Sequence, residues 1–92
     1  MNTMTYRYRT SGTCSRSITF ELTDGRVHNV AFEGGCNGNL QGISRLAEGK
    51  TPEELIGTLS GIRCGFNSTS CPDQLARALT QALTQAQKEE EA

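Results

Sequence analysis

The stretch Ile18-Thr19-Phe20-Glu21-Leu22-Thr23-Asp24-Gly25-Arg26-Val27-His28-Asn29-Val30-Ala31-Phe32 decides the fold. Ile18, Phe20 and Leu22 alternate with Thr19 and Glu21, the two-residue period of a half-buried strand. Asp24-Gly25 is a strong short hairpin signal. A second strand then runs from Arg26 to about Glu33, with Val30 and Phe32 on one face and His28 on the same parity. Upstream, Tyr6 and Tyr8 alternate with Arg7 and Arg9, which predicts another strand ahead of these two. Ser11-Gly12-Thr13-Cys14-Ser15 lies between the first two strands as a loop holding a thiol.

Downstream the period changes. Gly34-Gly35-Cys36-Asn37-Gly38-Asn39 breaks the strand pattern, and Asn39 is a good N-cap for a helix with Leu40, Ile43, Leu46 and Ala47 on one apolar face. Gly49 is placed to end it in the left-handed conformation. Thr51-Pro52-Glu53-Glu54 reads as a capping box with proline in the first turn, opening a short helix that buries Leu55, Ile56 and Leu59. Gly61-Ile62-Arg63-Cys64-Gly65 closes it. Ser70-Cys71-Pro72-Asp73 opens the last helix, whose apolar stripe is Leu75, Leu79, Ala82, Leu83 and Ala86. The order βββααα predicts an α+β domain of two layers, with about three helices on one face of a small antiparallel sheet of about three strands.

A chain of 92 residues with four cysteines and no tryptophan has room for one domain and a thin core. Small domains of this kind often carry a staple, either a disulfide or a metal. Nine basic residues against ten acidic ones leave no basic excess, so no nucleic-acid partner is expected. Residues 1–87 read as the folded domain and residues 88–92 as an acidic, disordered tail. The first residues show neither the basic nor the apolar region of a signal peptide, and no apolar run is long enough for a membrane helix. A cytoplasmic location is therefore expected. In a reducing compartment four cysteines point to metal ligands or reactive thiols rather than disulfides.

Cys14, Cys36, Cys64 and Cys71 contain no Cys-x-x-Cys pair, so their spacing alone is a weak zinc signal. Their placement says more. Each falls in a loop or at an element boundary, and three have a glycine within two residues. Cys71 starts a helix and Cys36 precedes one, where the helix dipole favours thiolate. Four thiolates can close a tetrahedral zinc site, structural rather than catalytic because no coordination position stays open. An Fe–S cluster takes the same four ligands. Two alternatives stand beside these: a Cys64–Cys71 redox pair, and thiols acting as small buried hydrophobes.

Thr69-Ser70-Cys71-Pro72-Asp73 spells TSCPD, and the chain resembles the TSCPD domain family that carries this signature. Cys14-Ser15-Arg16 with Ile18-Thr19-Phe20, Gly34-Gly35-Cys36-Asn37-Gly38-Asn39-Leu40-Gln41-Gly42-Ile43, Gly61-Ile62-Arg63-Cys64-Gly65 and Asp73-Gln74-Leu75-Ala76 resemble its other segments, in order, over about residues 8 to 85. The resemblance is to the short stand-alone four-cysteine group. It implies metal binding and kinship with the C-terminal domain of adenosylcobalamin-dependent ribonucleotide reductases. The label ribonucleoside-diphosphate reductase goes with that kinship, and with it DNA synthesis, nucleotide binding and a reductase chain as partner. The barrel, radical cysteines and cobalamin site of such an enzyme have no counterpart here. The expectation is an accessory or regulatory module, not an enzyme by itself, with adenosylcobalamin reached only through the reductase relatives.

Other residues weigh less. The Gly34–Asn39 loop resembles a phosphate cradle but lacks the Gly-Lys-Ser/Thr of a P-loop, so turn-making for Cys36 is the better reading. His28 is a packed strand residue or, less favourably, a replacement ligand. Arg16, Arg63 and Arg77 lie near cysteines in sequence, where guanidinium groups would offset the negative charge of a Zn–Cys₄ centre. A single histidine supports no Ser/His/Asp set, and Glu53-Glu54 are explained by capping.

Overall fold

The computed structural model describes residues 3–13, 15–35, 37–63 and 69–91. Three strands, β1 (Thr3–Arg9), β2 (Ser15–Thr23) and β3 (Arg26–Gly34), precede three helices, α1 (Asn37–Ala47), α2 (Pro52–Leu59) and α3 (Cys71–Glu91). The strands form an antiparallel sheet in the order β1-β2-β3. The α+β architecture expected from the sequence is the one observed. Asp24 and Gly25 make the β2–β3 turn with φ of 53° and 76°. Both residues are left-handed, as a two-residue hairpin turn requires for its twist to match the strands.

Register explains which side chains reach the core. Tyr6 faces Phe20 and Tyr8 faces Ile18 across β1 and β2, while Ile18 faces Phe32 and Leu22 faces Val27 across β2 and β3. Partners in register share a face. The Tyr6 and Phe20 rings stack with centroids 5.5 Å apart. On β3 the expected alternation fails. Pairing passes from Glu21↔His28 to Thr19↔Ala31, so Asn29 and Val30 together oppose Phe20. This is a β-bulge, and it resets the parity of the strand. Val27 and Val30 are both buried although three residues apart, and His28 sits opposite Glu21, outside the core-facing set. Asn29 takes the left-handed φ of 54° that the bulge demands, which asparagine tolerates better than most residues. Its side-chain amide donates to Glu21 Oε1 (2.8 Å) and its backbone N–H to Glu48 Oε1 (2.9 Å).

The helices lie on the sheet face that carries Ile18, Phe20, Val27 and Val30. Ala47 of α1, Leu55 of α2 and Leu75, Ala78, Leu79 and Ala82 of α3 close over it as one core. Leu83 of the expected α3 stripe is half-buried, and α3 runs on through residues 88–91. Thr51 caps α2, its Oγ1 accepting from the Glu54 N–H (3.3 Å), with Pro52 first in the helix, as the sequence predicts. Ile56 and Leu59 are only half-buried. The Gly49 turn after α1 blunts the edge of the sheet. The Gly49 N–H donates to the Val27 carbonyl (2.7 Å), and the Val27 N–H donates to the Lys50 carbonyl (2.8 Å). No described helix is long and apolar enough to cross a membrane.

Helix α1 departs from the expectation in two ways. It begins at Asn37, two residues ahead of the expected cap at Asn39. Leu46 is 76% exposed, while Leu40 and Ala47 are buried. Leu40 and Ala47 are seven residues apart and lie on one line down the helix. Leu46 is about 100° of helical rotation away from that line. Replacing Leu46 by lysine is accordingly expected to change stability by no more than about 0.5 kcal/mol in urea unfolding. A loss several times larger would mean that Leu46 is covered in solution.

Candidate functional site

The segment Thr69–Asp73 folds into a clasp at the start of α3. Ser70 is the N-cap: its carbonyl accepts from the Gln74 N–H (2.8 Å) and its Oγ accepts from the Asp73 N–H (3.2 Å). The first is the opening i→i−4 bond of the helix, and the second satisfies a donor that a helix start leaves without a partner. The Ser70 hydroxyl also donates to the Ile62 carbonyl (2.6 Å). Cys71 and Pro72 follow in the first turn, where the missing proline N–H costs nothing. In a capping box the acid of the first turn returns to the cap residue. Here it is diverted: Asp73 accepts from the Thr69 hydroxyl through Oδ2 (2.5 Å) and from the Gly61 N–H through Oδ1 (2.7 Å). Arg77, one turn on, lies 3.1 Å from Oδ2.

Asp73 is buried, yet its carboxyl is held below its ordinary value of 3.8. The Thr69 hydroxyl is the largest cause, followed by the Gly61 N–H, and the Arg77 charge adds to both against the cost of burial. Gln74 completes the network from a site that is 1% exposed. Its amide donates to Thr69 Oγ1 (2.9 Å), and its Oε1 accepts from the Ser11 N–H (3.1 Å). The clasp thus ties together the β1–β2 loop, the α2–α3 connection and the first turn of α3. Close packing supports it: a Cβ placed on Gly12 would come 3.2 Å from the Thr69 methyl group, at a φ of 76° that already favours glycine.

Cys71 is buried at the first position of α3, with its Sγ 3.2 Å from Ser15 Oγ. The other proposed ligands, Cys14, Cys36 and Cys64, lie outside the described residues. Their described neighbours in sequence are linked to one another. Ser15, next to Cys14, contacts Cys71 and is paired with Gly34, two residues before Cys36. Ile62, two residues before Cys64, accepts from the cap residue next to Cys71. Gly34 and Gly35 both have φ near 80°, so the strand leaves the sheet through a left-handed turn, in keeping with the turn-making reading of that loop. Among the described residues, no group of three or more His, Cys, Asp or Glu is placed to hold a metal.

Of the remaining sequence candidates, His28 separates from this region. His28 sits near the opposite end of β3 from Gly34, about 20 Å of strand away. Its Nδ1 is 2.5 Å from Glu48 Oε2. It is not placed to substitute for a cysteine. Arg77 is committed to Asp73, Arg16 pairs with Glu33 at 3.7 Å, and Arg63 is exposed. The sequence reading missed the buried polar set of Ser15, Thr69 and Gln74. Such residues read as loop and helix-surface positions, and only the meeting of three distant segments buries them.

Neither the curated proteins nor the solved structures contain a significant match to this chain. A family match does exist, over residues 2–83, and it spans every segment that the clasp joins. This protein belongs to the TSCPD domain family.

Proposed function

We propose that the domain is a metal-stapled accessory module, in which Cys14, Cys36, Cys64 and Cys71 bind one zinc ion and the stapled surface serves a protein partner. The observation that carries this reading is the linkage of Ser15, Gly34, Ile62 and Ser70 around the buried Cys71 thiol. Chain connectivity tethers each remaining cysteine within one or two residues of that linkage, or at most about 7 Å of extended backbone. The donor set also fits. Cys71 stands at the positive end of a 21-residue helix, where an anionic sulfur is favoured over a thiol. When bound, zinc supplies a cross-link among the sheet, the α2–α3 connection and α3, and its thiolate ligands leave no open position for catalysis.

The reading extends to the family's reductase kinship, with a ribonucleotide reductase chain as the partner class and an accessory or regulatory role. Metal analysis of protein purified without added zinc tests the core of it. About one zinc per chain is expected, falling to near zero when Cys71 is replaced by serine. Four freely titratable thiols and no metal would overturn it. In metal-free protein, a Cys64–Cys71 disulfide formed by mild oxidation would instead identify a thiol redox pair. Iron and inorganic sulfide in place of zinc would identify a cluster.

A further inference from the structure

The sheet face turned away from the helices carries a cluster that the clasp does not use. Arg7, Arg9 and Arg16 line one open groove of about 480 Å³, together with Ser17 and Glu33. Arg7 and Arg9 share a strand face by alternation, and Arg9 stands opposite Ser17 in register. Arg16 reaches the same groove because of a second register irregularity, between Ser15 and Ser17. This irregularity turns Ser15 inward to Cys71 while Arg16 and Ser17, consecutive in sequence, both face the groove.

Glu33 shows what the groove accepts. Its carboxylate takes the Ser17 hydroxyl (2.9 Å) and an Arg7 guanidinium N–H (3.3 Å) on Oε2, with Arg16 at 3.7 Å from Oε1. Arg9 has no ion pair among the described residues. Three guanidinium groups against one carboxylate leave two positive charges unmatched in one small concavity. Guanidinium forks match the paired oxygens of phosphate groups, and several acting together hold a multivalent anion far better than a monovalent one. Nucleic acid is a poor fit. The tyrosines of β1 face the core, so the described lining of the groove has no aromatic stacking platform, and the chain has no basic excess to track a backbone.

We infer that this groove binds a small soluble anion bearing linked phosphate groups, held by Arg7, Arg9 and Arg16, with Glu33 as the resident carboxylate that the ligand displaces. Two opposite effects of mutation distinguish this from charges that merely keep an open sheet face soluble. Titration of inorganic pyrophosphate, followed by amide shifts in heteronuclear NMR spectra, is expected to move Arg7, Arg9, Arg16 and Ser17 together. Arg9→Gln is expected to weaken binding about tenfold. Glu33→Gln is expected to tighten it by about threefold or more, because a competing negative charge is gone. The spectra themselves report that both variants are folded. No shift at these amides with millimolar pyrophosphate, an equal response to sulfate, or the same affinity in both variants would overturn the inference.

Discussion

On the proposed zinc staple, a strong chelator is expected to unfold this domain at a temperature where the untreated protein is fully folded. Bound structural zinc contributes on the order of 10 kcal/mol in small cysteine-rich modules, while a domain of this size has roughly 5–15 kcal/mol of total stability. The two quantities are comparable, so removing the first leaves little of the second. The packing agrees with this arithmetic. Among the described residues the fully buried large apolar side chains are few, Phe20, Ile18, Leu75, Leu79 and Val27, and they join the sheet to the N-terminal half of α3. At the Cys71 end of α3 the contacts are polar, and the proposed staple would fall there. Circular dichroism with and without chelator, and after zinc is restored, measures the effect. Cys71→Ser should reproduce the chelated state. Ser15→Ala, which removes only the hydroxyl beside Cys71 Sγ, should cost about 1 kcal/mol. An unchanged thermal transition in chelator would remove the structural role of the metal.

The Asp73→Ala variant is expected to lose about 3 kcal/mol, independently of the proposed metal. The substitution deletes two charge-assisted hydrogen bonds and leaves the Gly61 N–H and the Thr69 hydroxyl without their acceptor. Asp73→Asn is expected to cost about 1–2 kcal/mol, since it keeps one acceptor but presents an amide where the carboxylate took the Thr69 hydroxyl. The acid limb separates the two explanations, charge and shape. The Asp73 carboxyl titrates lower in the folded chain than its ordinary 3.8, so the folded state binds fewer protons there than the unfolded state does. Its contribution is fully present above the ordinary value and is lost as pH falls through the lowered one. Denaturant unfolding of the wild type should therefore weaken below about pH 4 more steeply than that of Asp73→Asn. Parallel slopes for the two proteins would show that the carboxylate charge is not what the clasp uses.

Much of the fold was legible because its local signals agree with one another. Asp24-Gly25 sets a turn that only left-handed residues can make, Thr51-Pro52 starts a helix by hydrogen bonding within four residues, and Gly49 ends one by its freedom at positive φ. What failed depended on partners remote in sequence. The parity of β3 changes at Asn29 because β2 supplies one residue where β3 supplies two. Leu46 looks like a core residue by helical spacing, but the side of α1 that packs is chosen by β3. For the site, the spelling of Thr69–Asp73 was visible at once, and its physical meaning was not. The motif reads as a helix start, whereas three of its five side chains work outside the cap. Thr69 donates to Asp73, Asp73 also accepts from Gly61, and Cys71 meets Ser15.

The division between the two levels follows from the range of the forces involved. The sequence by itself determined the order of strands and helices, the Asp24-Gly25 turn, the Thr51 and Ser70 caps, the family, and Cys71 at a helix start. The elements, turn and caps rest on backbone preferences and on contacts a few residues apart, and the family on the spelling of its motifs. Only the tertiary structure decided which face each element buries, where the two β-bulges turn Arg16 and His28, and how Asp73 and Gln74 bind the chain segments beside Cys14 and Cys64 to the first turn of α3. Those outcomes depend on burying polar groups with their partners. The partners come from segments up to 63 residues apart, and no local pattern encodes such a pairing.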